Sequence, residues 1–519
     1  MGEAAVSRTR RPARRVGTAL SAALLATALA SCTALVPGSP VASGTPGPPP
    51  TASAPPTPSG PPPESPRLVP GPPRLSAADA PGLVGRLAAT TGPDLAVAVR
   101  WAVLPGASAL GDRLDERVEQ LARDFAAAHG AGWVPAVDVL PGGDIGPCRG
   151  ASLGTTAGAV LTIDCGIVTA AGPLLGERLT VIRREPGAAA SVAREVWYAD
   201  AATGTVHDGP ALYEPGREPR VLGLVAEALR ATGRIGIEDP WAGVDPAAAR
   251  GLLVDSAVTP TGIVVTLPLA GSVVPVSVLV PTRLLQPFLS EAGRSATATA
   301  AADEPFAAPA APAGGDPVDC SFVACVSITF DDGPTGLTPG LLDVLDRTRA
   351  PATFFVQGSS VQRNPDTAAR IVDSGHEIAN HTWGHPDLTK LKDDAAVRRE
   401  VDRTQAAIRE ATGVTSRSIR PPYGASDRRV RALVALPFIV WDVDTNDWRD
   451  PGADVIVQRA VAESRRGSIV LMHDTHEQTI EAVPSVIAGL RARGFTLATV
   501  SAQFGGALPA SGLVSHGPR

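Results

Sequence analysis

The hydrophobic pattern of the chain changes at Val318, where short apolar runs begin to alternate regularly with segments of helical period. We predict seven strands in the apolar runs, at 326–330, 352–356, 377–381, 418–421, 438–443, 468–473 and 496–500. Repeated strand–helix units are typical of a parallel sheet, which can be open or closed into a barrel. In either form the loops at the carboxyl ends of the strands are expected to carry the chemistry.

The helical segments between these strands have recognisable ends. The segment 393–412 places its less polar side chains on one stripe and is followed by Gly413, so it predicts a long helix. The stripe consists of Val397, Val401, Thr404, Ile408 and Ala411. A second helix is predicted by the start signals Asn364 and Pro365 and the stop signal Gly375.

An earlier region, residues 76–292, mixes both patterns and predicts an α+β domain. Helical spacing is clear from Leu114 onward, whereas 195–200 and 262–268 are rich in β-branched residues and predict strands. The histidines of this region are His129 and His207. They stand far apart in the sequence, so we expect no cluster of metal ligands here.

Segments of biased composition separate these regions. Residues 33–75 are mostly Pro, Ser, Thr, Gly and Ala, which predicts an extended, polyproline-like stalk. At roughly 3 Å per residue such a stalk could reach on the order of 100 Å. Residues 293–317 predict a linker, 318–505 a second domain and 506–519 a C-terminal tail.

Length and charge narrow the class of protein. A chain of 519 residues is too long for one core, so two domains with linkers are expected. The net charge of −6 and the absence of a strong basic cluster beyond the first 15 residues give no indication of a nucleic-acid partner.

The N-terminus combines several arginines with an apolar run from Val16 to Ala30. This combination is typical of a secretory signal, and the run is short for a membrane span. The sequence Leu29-Ala-Ser-Cys resembles a bacterial lipobox. The resemblance implies that 1–32 is a signal segment, that Cys32 is lipidated, and that the protein is anchored at the outer face of the cytoplasmic membrane. The alternative is an ordinary secreted protein with a chance cysteine.

Four further cysteines suggest disulfides, because an exported chain matures in an oxidising environment. They are Cys148, Cys165, Cys320 and Cys325. Four cysteines allow three connectivities. Proximity in sequence favours Cys148–Cys165 and Cys320–Cys325, and buried free thiols are the alternative.

Two adjacent carboxylates, Asp331 and Asp332, follow an apolar strand and precede a Gly-Pro turn. Successive strand residues point in opposite directions, so the two carboxylates can serve different roles. His381 and His385 come 50 residues later. One Asp and two His form the ligand set of a catalytic zinc site with an open position, which leaves the other Asp free to act as a base.

Five polar motifs stand in order at the expected strand ends. They are Thr329-Phe-Asp-Asp-Gly-Pro, His381-Thr-Trp-Gly-His, Arg420-Pro-Pro-Tyr-Gly, Asp444-Thr-Asn-Asp-Trp and Leu471-Met-His-Asp. Over residues 318–505 this set resembles the polysaccharide deacetylases, carbohydrate esterase family 4. The resemblance implies the α/β class: an irregular (β/α) barrel of about seven strands, here preceded by a smaller α+β domain.

The resemblance also implies roles for individual residues. Asp332, His381 and His385 are expected to bind a divalent metal, with Zn²⁺ favoured and Co²⁺, Ni²⁺ or Mn²⁺ as alternatives. Asp331 matches the catalytic base, and His473 matches the general acid that protonates the leaving amine.

Other positions are expected to support this pair. Arg420 is expected to hold a site carboxylate, above all Asp331, and Asp447 to keep His473 protonated. The backbone N–H of Tyr423 is expected to stabilise the oxyanion. The remaining expected substrate-binding residues are Pro422, Trp448 and Leu471. The residues His376, His476 and Asp444 match no role, and the two histidines are expected to be bystanders.

Three functions remain open at this point. The favoured one is a membrane-anchored deacetylase of N-acetylated cell-wall glycan, in particular peptidoglycan. The same motifs serve chitooligosaccharide deacetylases and acetyl-xylan esterases. The third is a glycan-sensing lipoprotein. Residues 252–289 resemble an accessory domain found beside bacterial cell-wall deacetylases and in lysozyme-sensing anti-sigma factors, which implies binding of glycan or protein; a spacer is the alternative.

Overall fold

The structure, a computed structural model, describes residues 65–105, 108–137, 148, 158–269, 274–309, 318–510 and 512–518. The predicted signal segment 1–32, with Cys32, and residues 33–64 of the predicted stalk lie outside these ranges. Within them, no helix combines the length and the apolar character that crossing a membrane requires.

The part of the chain before Val318 forms two sheets with helices against them. Its strands are β1 (Arg67–Val69), β2 (Val84–Gly92), β3 (Leu95–Val103), β4 (Ala159–Ala171), β5 (Leu174–Arg184), β6 (Ser191–Asp200), β7 (Thr205–Asp208), β8 (Ser256–Thr259), β9 (Gly262–Leu267) and β10 (Val276–Pro281). Its helices are α1 (Ser108–Ala128), α2 (Glu218–Ala231), α3 (Pro246–Leu252), α4 (Thr282–Leu285) and α5 (Glu291–Ala302). The described elements of this part are ten strands and five helices, and those of the rest are eight strands and eight helices.

The larger of the two sheets has the order β2-β3-β4-β5-β6-β7. Only the pair β3–β4 is parallel, and α1 provides the crossover between these two strands. Leu110, Leu114 and Val118 on α1 are fully buried, which is the stripe expected of an amphipathic helix on a sheet. Of the predicted disulfides, Cys148–Cys165 joins a loop residue to β4 and Cys320–Cys325 closes a short loop, so both are present.

The second sheet has the order β1-β10-β9-β8 and is antiparallel. Residues 67–69 pair with β10, so the segment expected to be stalk up to position 75 is already folded here. The predicted linker 293–317 likewise begins as helix α5. Ser290 accepts a hydrogen bond from the Gly293 N–H at its start, and Ala296 is buried against the second sheet's core, because small side chains allow close packing.

The part after Val318 alternates strands and helices as the pattern predicts. Its strands are β11 (Cys325–Asp331), β12 (Thr353–Val356), β13 (Glu377–Asn380), β14 (Phe438–Ile439), β15 (Val443–Asp444), β16 (Ile469–His473), β17 (Thr496–Leu497) and β18 (Leu513–Val514). Its helices are α6 (Thr338–Thr348), α7 (Gly358–Arg363), α8 (Pro365–Asp373), α9 (Asp394–Thr412), α10 (Arg428–Leu433), α11 (Ala453–Ala462), α12 (Glu477–Ala492) and α13 (Val500–Gln503).

Parallel pairing gives the order β13-β12-β11-β16-β15, and β17 pairs with the start of β11. Instead of the predicted strand 418–421, only Ile419 forms bridges, to Asn380 and Phe438, which extend the order to β14. No ladder joins β14 to β15 among the described strands, so the series is open, whereas we expected a barrel. The predicted tail 506–519 contributes β18, which pairs with β14.

The predicted strand 438–443 is divided into β14 and β15. Between them the carbonyl oxygens of Ile439 and Val440 both accept hydrogen bonds of 3.3 Å from the guanidinium of Arg420. Backbone groups that bind a buried side chain are not available to a neighbouring strand, so the ladder is interrupted here.

The two parts of the chain share one hydrophobic cluster. Trp101 on β3 is fully buried, and its ring centroid lies 5.9 Å from that of Phe322, just before β11. The Trp133 indole N–H donates to the Phe322 carbonyl over 2.9 Å. Cys325 and Ala498 belong to the same cluster. The larger N-terminal sheet therefore packs directly on the part that holds the five motifs.

Candidate metal and catalytic site

The candidate residues meet at the carboxyl edge of the parallel sheet. Asp331 is the last residue of β11, His381 directly follows β13, and His473 is the last residue of β16. In a parallel sheet all carboxyl ends lie on one side, so residues far apart in sequence come together there. Every residue of β11 is buried, which fixes where its terminal carboxylate lies.

The ligand atoms of three described residues lie close together. They are a carboxylate oxygen of Asp332 and one imidazole nitrogen each of His381 and His385. The Asp332 Oδ1 lies 3.5 Å from the Nε2 atom of each histidine, and all three ligand atoms are within 4.8 Å of one another. Tetrahedral ligands about 2.1 Å from a zinc ion would be roughly 3.4 Å apart. The donor set and its spacing therefore fit a divalent metal ion.

The imidazole of His381 is oriented to bind a metal ion through its Nε2. Its Nδ1 lies 2.7 Å from the Arg420 carbonyl oxygen, which can only accept, so Nδ1 carries the hydrogen and Nε2 keeps its lone pair. Burial and the neighbouring His381 lower the pKa of His385, which favours the neutral, ligating form.

The carboxylate of Asp332 is kept ionised. Burial alone would raise its pKa, but the nearby imidazoles of His381 and His385 and a hydrogen bond from Gln357 hold the pKa below its ordinary value. The Gln357 amide donates to Oδ1 over 2.7 Å. Gln357 directly follows β12 and so lies at the same edge of the sheet, a position that could have drawn attention to it in the sequence.

The loop that carries the two histidines is held by α9. The side chain of Glu400 accepts hydrogen bonds from the backbone N–H groups of Trp383 (3.0 Å) and Gly384 (2.9 Å). Thr382 and His385 have positive φ angles of 64° and 61°, which side chains rarely adopt without such support. Sequence reasoning missed Glu400, because its distance of 15 residues from the motif hides the contact.

Asp331 is paired with a buried arginine. The Arg420 guanidinium, fully buried, donates to Asp331 Oδ1 and to the hydroxyl of Thr329, both over 2.7 Å. It also lies 4.0 Å from the centre of the Phe355 ring. The second oxygen of Asp331, Oδ2, lies 3.7 Å from His381 Nε2 and thus faces the metal-ligand set.

On the other side of the site, His473 is paired with Asp447. The Nδ1 of His473 lies 2.8 Å from Asp447 Oδ1, and the other carboxylate oxygen accepts from the Thr479 hydroxyl over 2.8 Å. Burial opposes the charged form, but this hydrogen bond and the charges of Asp447, Asp331 and Asp332 together raise the pKa of His473 to about 9. The imidazole is therefore a cation at neutral pH.

The remaining candidates form the rim. Tyr423 has a positive φ of 61° and is 68% exposed, and its ring stands edge-on to His385 at 4.7 Å between centroids. Pro422, beside it, is buried. Trp448 is 48% exposed, whereas Leu471 is buried in β16. The structure thus leaves Tyr423 and Trp448 accessible to a substrate.

The three residues without an expected role, Asp444, His476 and His376, lie at different positions. Asp444 accepts a hydrogen bond from the backbone of Asn446, in its own loop. The Nδ1 of His476 lies 3.2 Å from Asp450 Oδ1. The centroid of its ring is 6.1 Å from that of His473, so His476 lies beside the candidate site. His376 precedes β13 and lies at the opposite edge of the sheet.

Asp474 is a buried carboxylate that sequence reasoning left without a role. It accepts a hydrogen bond from the Thr338 hydroxyl, and burial raises its pKa to about 7. A Cβ atom at Gly333 would collide with its carboxylate, so a glycine is required in the turn after Asp332.

Part of the chain is similar to known proteins of one family. The model of the polysaccharide deacetylase family matches residues 322–436. The peptidoglycan-N-acetylglucosamine deacetylase PgdA of Listeria monocytogenes is 39% identical over 181 residues, which are 35% of this chain and 39% of that protein. A chitooligosaccharide deacetylase of Rhizobium leguminosarum is 39% identical over 190 residues, which are 33% of this chain and 88% of that protein.

Among solved structures, a T48 deacetylase with substrate is 44% identical, and the match covers 37% of this chain and 98% of that chain with a TM-score of 0.37. The similarity is confined to about one third of this chain. It spans about two fifths of the length of the Listeria protein.

Proposed function

Since the chain belongs to the polysaccharide deacetylase family, we propose that it hydrolyses N-acetyl groups of a cell-wall glycan and releases acetate. The observation that carries the proposal is the pair of differently charged groups beside the metal-ligand set. A carboxylate held by Arg420 lies on one side, and an imidazolium held by Asp447 lies on the other. We also infer that the open series of strands corresponds to the irregular barrel of the family.

The metal proposed for Asp332, His381 and His385 is Zn²⁺, although the same donor types accept other divalent ions. When bound, such an ion acts as a Lewis acid that polarises the acetyl carbonyl and makes a water molecule acidic.

The reaction requires one proton to be taken up and one to be delivered. Asp331 accepts the proton of the attacking water, and its Oδ2, which faces His381, is the oxygen placed for this. His473 gives its proton to the amine nitrogen as the bond to the acetyl carbon breaks. Water and acetamide thus become acetic acid and a free amine, and the two side chains end with exchanged protonation states. The acetic acid then loses its proton to water and leaves as acetate.

The rim residues would hold the acetyl group. The backbone N–H of Tyr423 is proposed to donate to the developing oxyanion, as the family resemblance implies. Trp448 and Leu471 are proposed to contact the methyl group, and Pro422 to support the Tyr423 backbone.

Peptidoglycan is the substrate we propose, because the Listeria relative is named for peptidoglycan N-acetylglucosamine. A chitooligosaccharide is the second candidate, since the Rhizobium relative is named for it and is matched over most of its length. We further propose lipidation at Cys32 and a place at the outer face of the cytoplasmic membrane, supported by the lipobox-like sequence. The N-terminal part is proposed to bind glycan or protein of the wall.

The test is acetate release by metal-stripped and Zn²⁺-reconstituted protein on peptidoglycan, chitin oligomers and acetyl-xylan. We expect release from peptidoglycan that needs the metal and is lost in Asp331→Asn. Preference for chitin oligomers would select the second candidate. Reconstituted protein that releases acetate from none of the three would overturn the proposal.

A further inference from the structure

A cavity of about 380 Å³ lies between the larger N-terminal sheet and the amino ends of the catalytic strands. Val84 and Arg86 of β2 line one wall, and segments that precede β12, β13 and β17 line the other. The candidate catalytic residues lie at the carboxyl ends of the same set of strands. Because β11 has seven residues at about 3.3 Å each, the cavity is roughly 20 Å from them. It is therefore a separate place on the molecule, which we call the seam cavity.

The imidazole of His376, in the wall of the seam cavity, has no hydrogen-bond partner among the described residues, whereas its backbone N–H donates to the Ile371 carbonyl. It is 6% exposed, and both of its ring nitrogens are buried and unpaired. Burial lowers the pKa of this imidazole to about 4, so at neutral pH it offers one N–H donor and one acceptor nitrogen. Buried polar atoms are rarely left unpaired in native proteins, and a hydroxyl group, which both donates and accepts, would satisfy them.

Guanidinium groups gather around the same space. Arg86, Arg349 and Arg491 line the seam cavity, and a smaller adjoining cavity that shares Arg86 and Arg491 adds Arg100. Arg100 is 5% exposed, and its Nε has no hydrogen-bond partner among the described residues, although the charge of Asp164 acts on its guanidinium. This second unpaired group is independent of His376.

Arg491 has only carbonyl partners. It donates to the backbone oxygens of Thr348 (2.8 Å) and Arg349 (3.1 Å), and within the described ranges no carboxylate forms an ion pair with it. Burial lowers its pKa to about 10, which leaves it cationic at neutral pH. The acids in the wall are Asp346, which is paired with Arg370, and Asp373. Arg86 is itself paired with Asp115, so Arg491, which has no ion pair within the described ranges, is the guanidinium available to an anion in the cavity.

We propose that the seam cavity binds a small hydroxylated anion, such as a sugar acid or a sugar phosphate. Its charged group would lie against Arg491 and Arg100, because guanidinium groups match carboxylate and phosphate geometry. Its hydroxyls would lie against His376 and Asp373. The volume is within the range of small-molecule sites, about 300–1,000 Å³. Since the walls come from both parts of the chain, the ligand would join them without blocking the catalytic site.

The test is isothermal titration calorimetry of the full chain with glucuronate, glucose 6-phosphate and uncharged glucose. We expect one of the two anions to bind and glucose not to bind, and the stronger anion identifies carboxylate or phosphate as the preferred group. Arg491→Gln should weaken binding at least about tenfold. The matched control Arg347→Gln removes an exposed arginine of α6 that does not line the cavity, and should bind as the wild type does.

His376→Phe provides a second variant, because a phenyl ring can keep the contact with Phe354, whose centroid is 5.6 Å away, and has no nitrogens. It should also weaken binding; if it does not fold, Arg491→Gln decides. The proposal is overturned if neither anion binds, if glucose binds as tightly, or if Arg491→Gln and Arg347→Gln bind equally. Acetate release by Arg491→Gln should stay within about twofold of the wild type, so this test is independent of the deacetylase proposal.

Discussion

The two edges of the parallel sheet differ in whether their buried polar groups have partners within the protein. At the carboxyl edge, the ionisable groups come in matched sets, such as Arg420 with Asp331 and Asp447 with His473. At the amino edge, the ring nitrogens of His376, and beside it the Nε of Arg100 on β3, have no hydrogen-bond partner among the described residues. Groups that are paired inside the protein are held in one protonation state and one orientation, which general acid–base chemistry requires. The unpaired groups beside the seam cavity are those that the proposed ligand would satisfy.

The largest effect is expected when the proposed base at the carboxyl edge is neutralised. In Asp331→Asn the attacking water loses its proton acceptor, so we expect kcat to fall by roughly 10²–10⁴-fold. Acetate release under saturating metal measures the effect. Asp444→Asn is the matched control, since Asp444 lies at the same edge and its carboxylate accepts a hydrogen bond from the Asn446 backbone next to it. Equal activity of the two variants would remove Asp331 from the mechanism.

Removing the partner of Asp331 should affect folding as well. Arg420→Met leaves a buried carboxylate uncompensated, which costs about 3–5 kcal/mol in the free energy of unfolding. The control Arg370→Met breaks exposed pairs with Asp343 and Asp346 and should cost no more than about 1 kcal/mol. Urea unfolding compares the two. If Arg420→Met lowers the free energy of unfolding no more than the control does, the buried pair contributes little to stability.

The support of the histidine loop can be tested through metal affinity. Glu400→Leu removes the acceptor of two loop N–H groups, and we expect the affinity of the metal-stripped protein for Zn²⁺ to fall about 10- to 100-fold. Glu400→Gln keeps an accepting oxygen and should retain most of the affinity. Glu410→Leu, exposed on the same helix, is the control. Unchanged Zn²⁺ affinity in Glu400→Leu would show that the histidine loop keeps its conformation without Glu400.

The smallest effect expected is a displacement of the pH profile. The proposed mechanism requires protonated His473, so activity should be lost as pH rises through the pKa of about 9. Asp447→Asn removes the main group that raises this pKa, so the alkaline limb should move to lower pH. Profiles of kcat/KM for both proteins measure the displacement. An alkaline limb that stays in place would assign it to another group.

The same pair makes a predictable contribution to stability. The folded-state pKa of His473, about 9, is above the ordinary value of 6.5. The contribution is therefore fully present below about pH 6.5 and is lost as pH rises through 9. Thermal unfolding from pH 6 to pH 10 should show this loss in the wild type and much less of it in Asp447→Asn.

Local patterns were enough to predict much of the C-terminal part. Helix α9 starts and ends within one residue of the predicted 393–412, because its stripe and Gly413 are signals within the segment itself. The prediction failed at 418–421, where only Ile419 forms bridges. An apolar run indicates burial, but whether it pairs along its length depends on neighbours that come from elsewhere in the chain.

The sequence by itself determined which side chains are available for the proposed chemistry, because the five motifs contain them in order. Strand ends bring such residues to one edge of a sheet. Only the tertiary structure decided the rest. The contact of Glu400 with the histidine loop and the hydrogen bond from Gln357 to Asp332 join separate elements, so no local spacing predicts them. The seam cavity depends on how the N-terminal sheet packs on the catalytic strands, and unpaired groups such as His376 can be recognised only when every neighbouring element is in place.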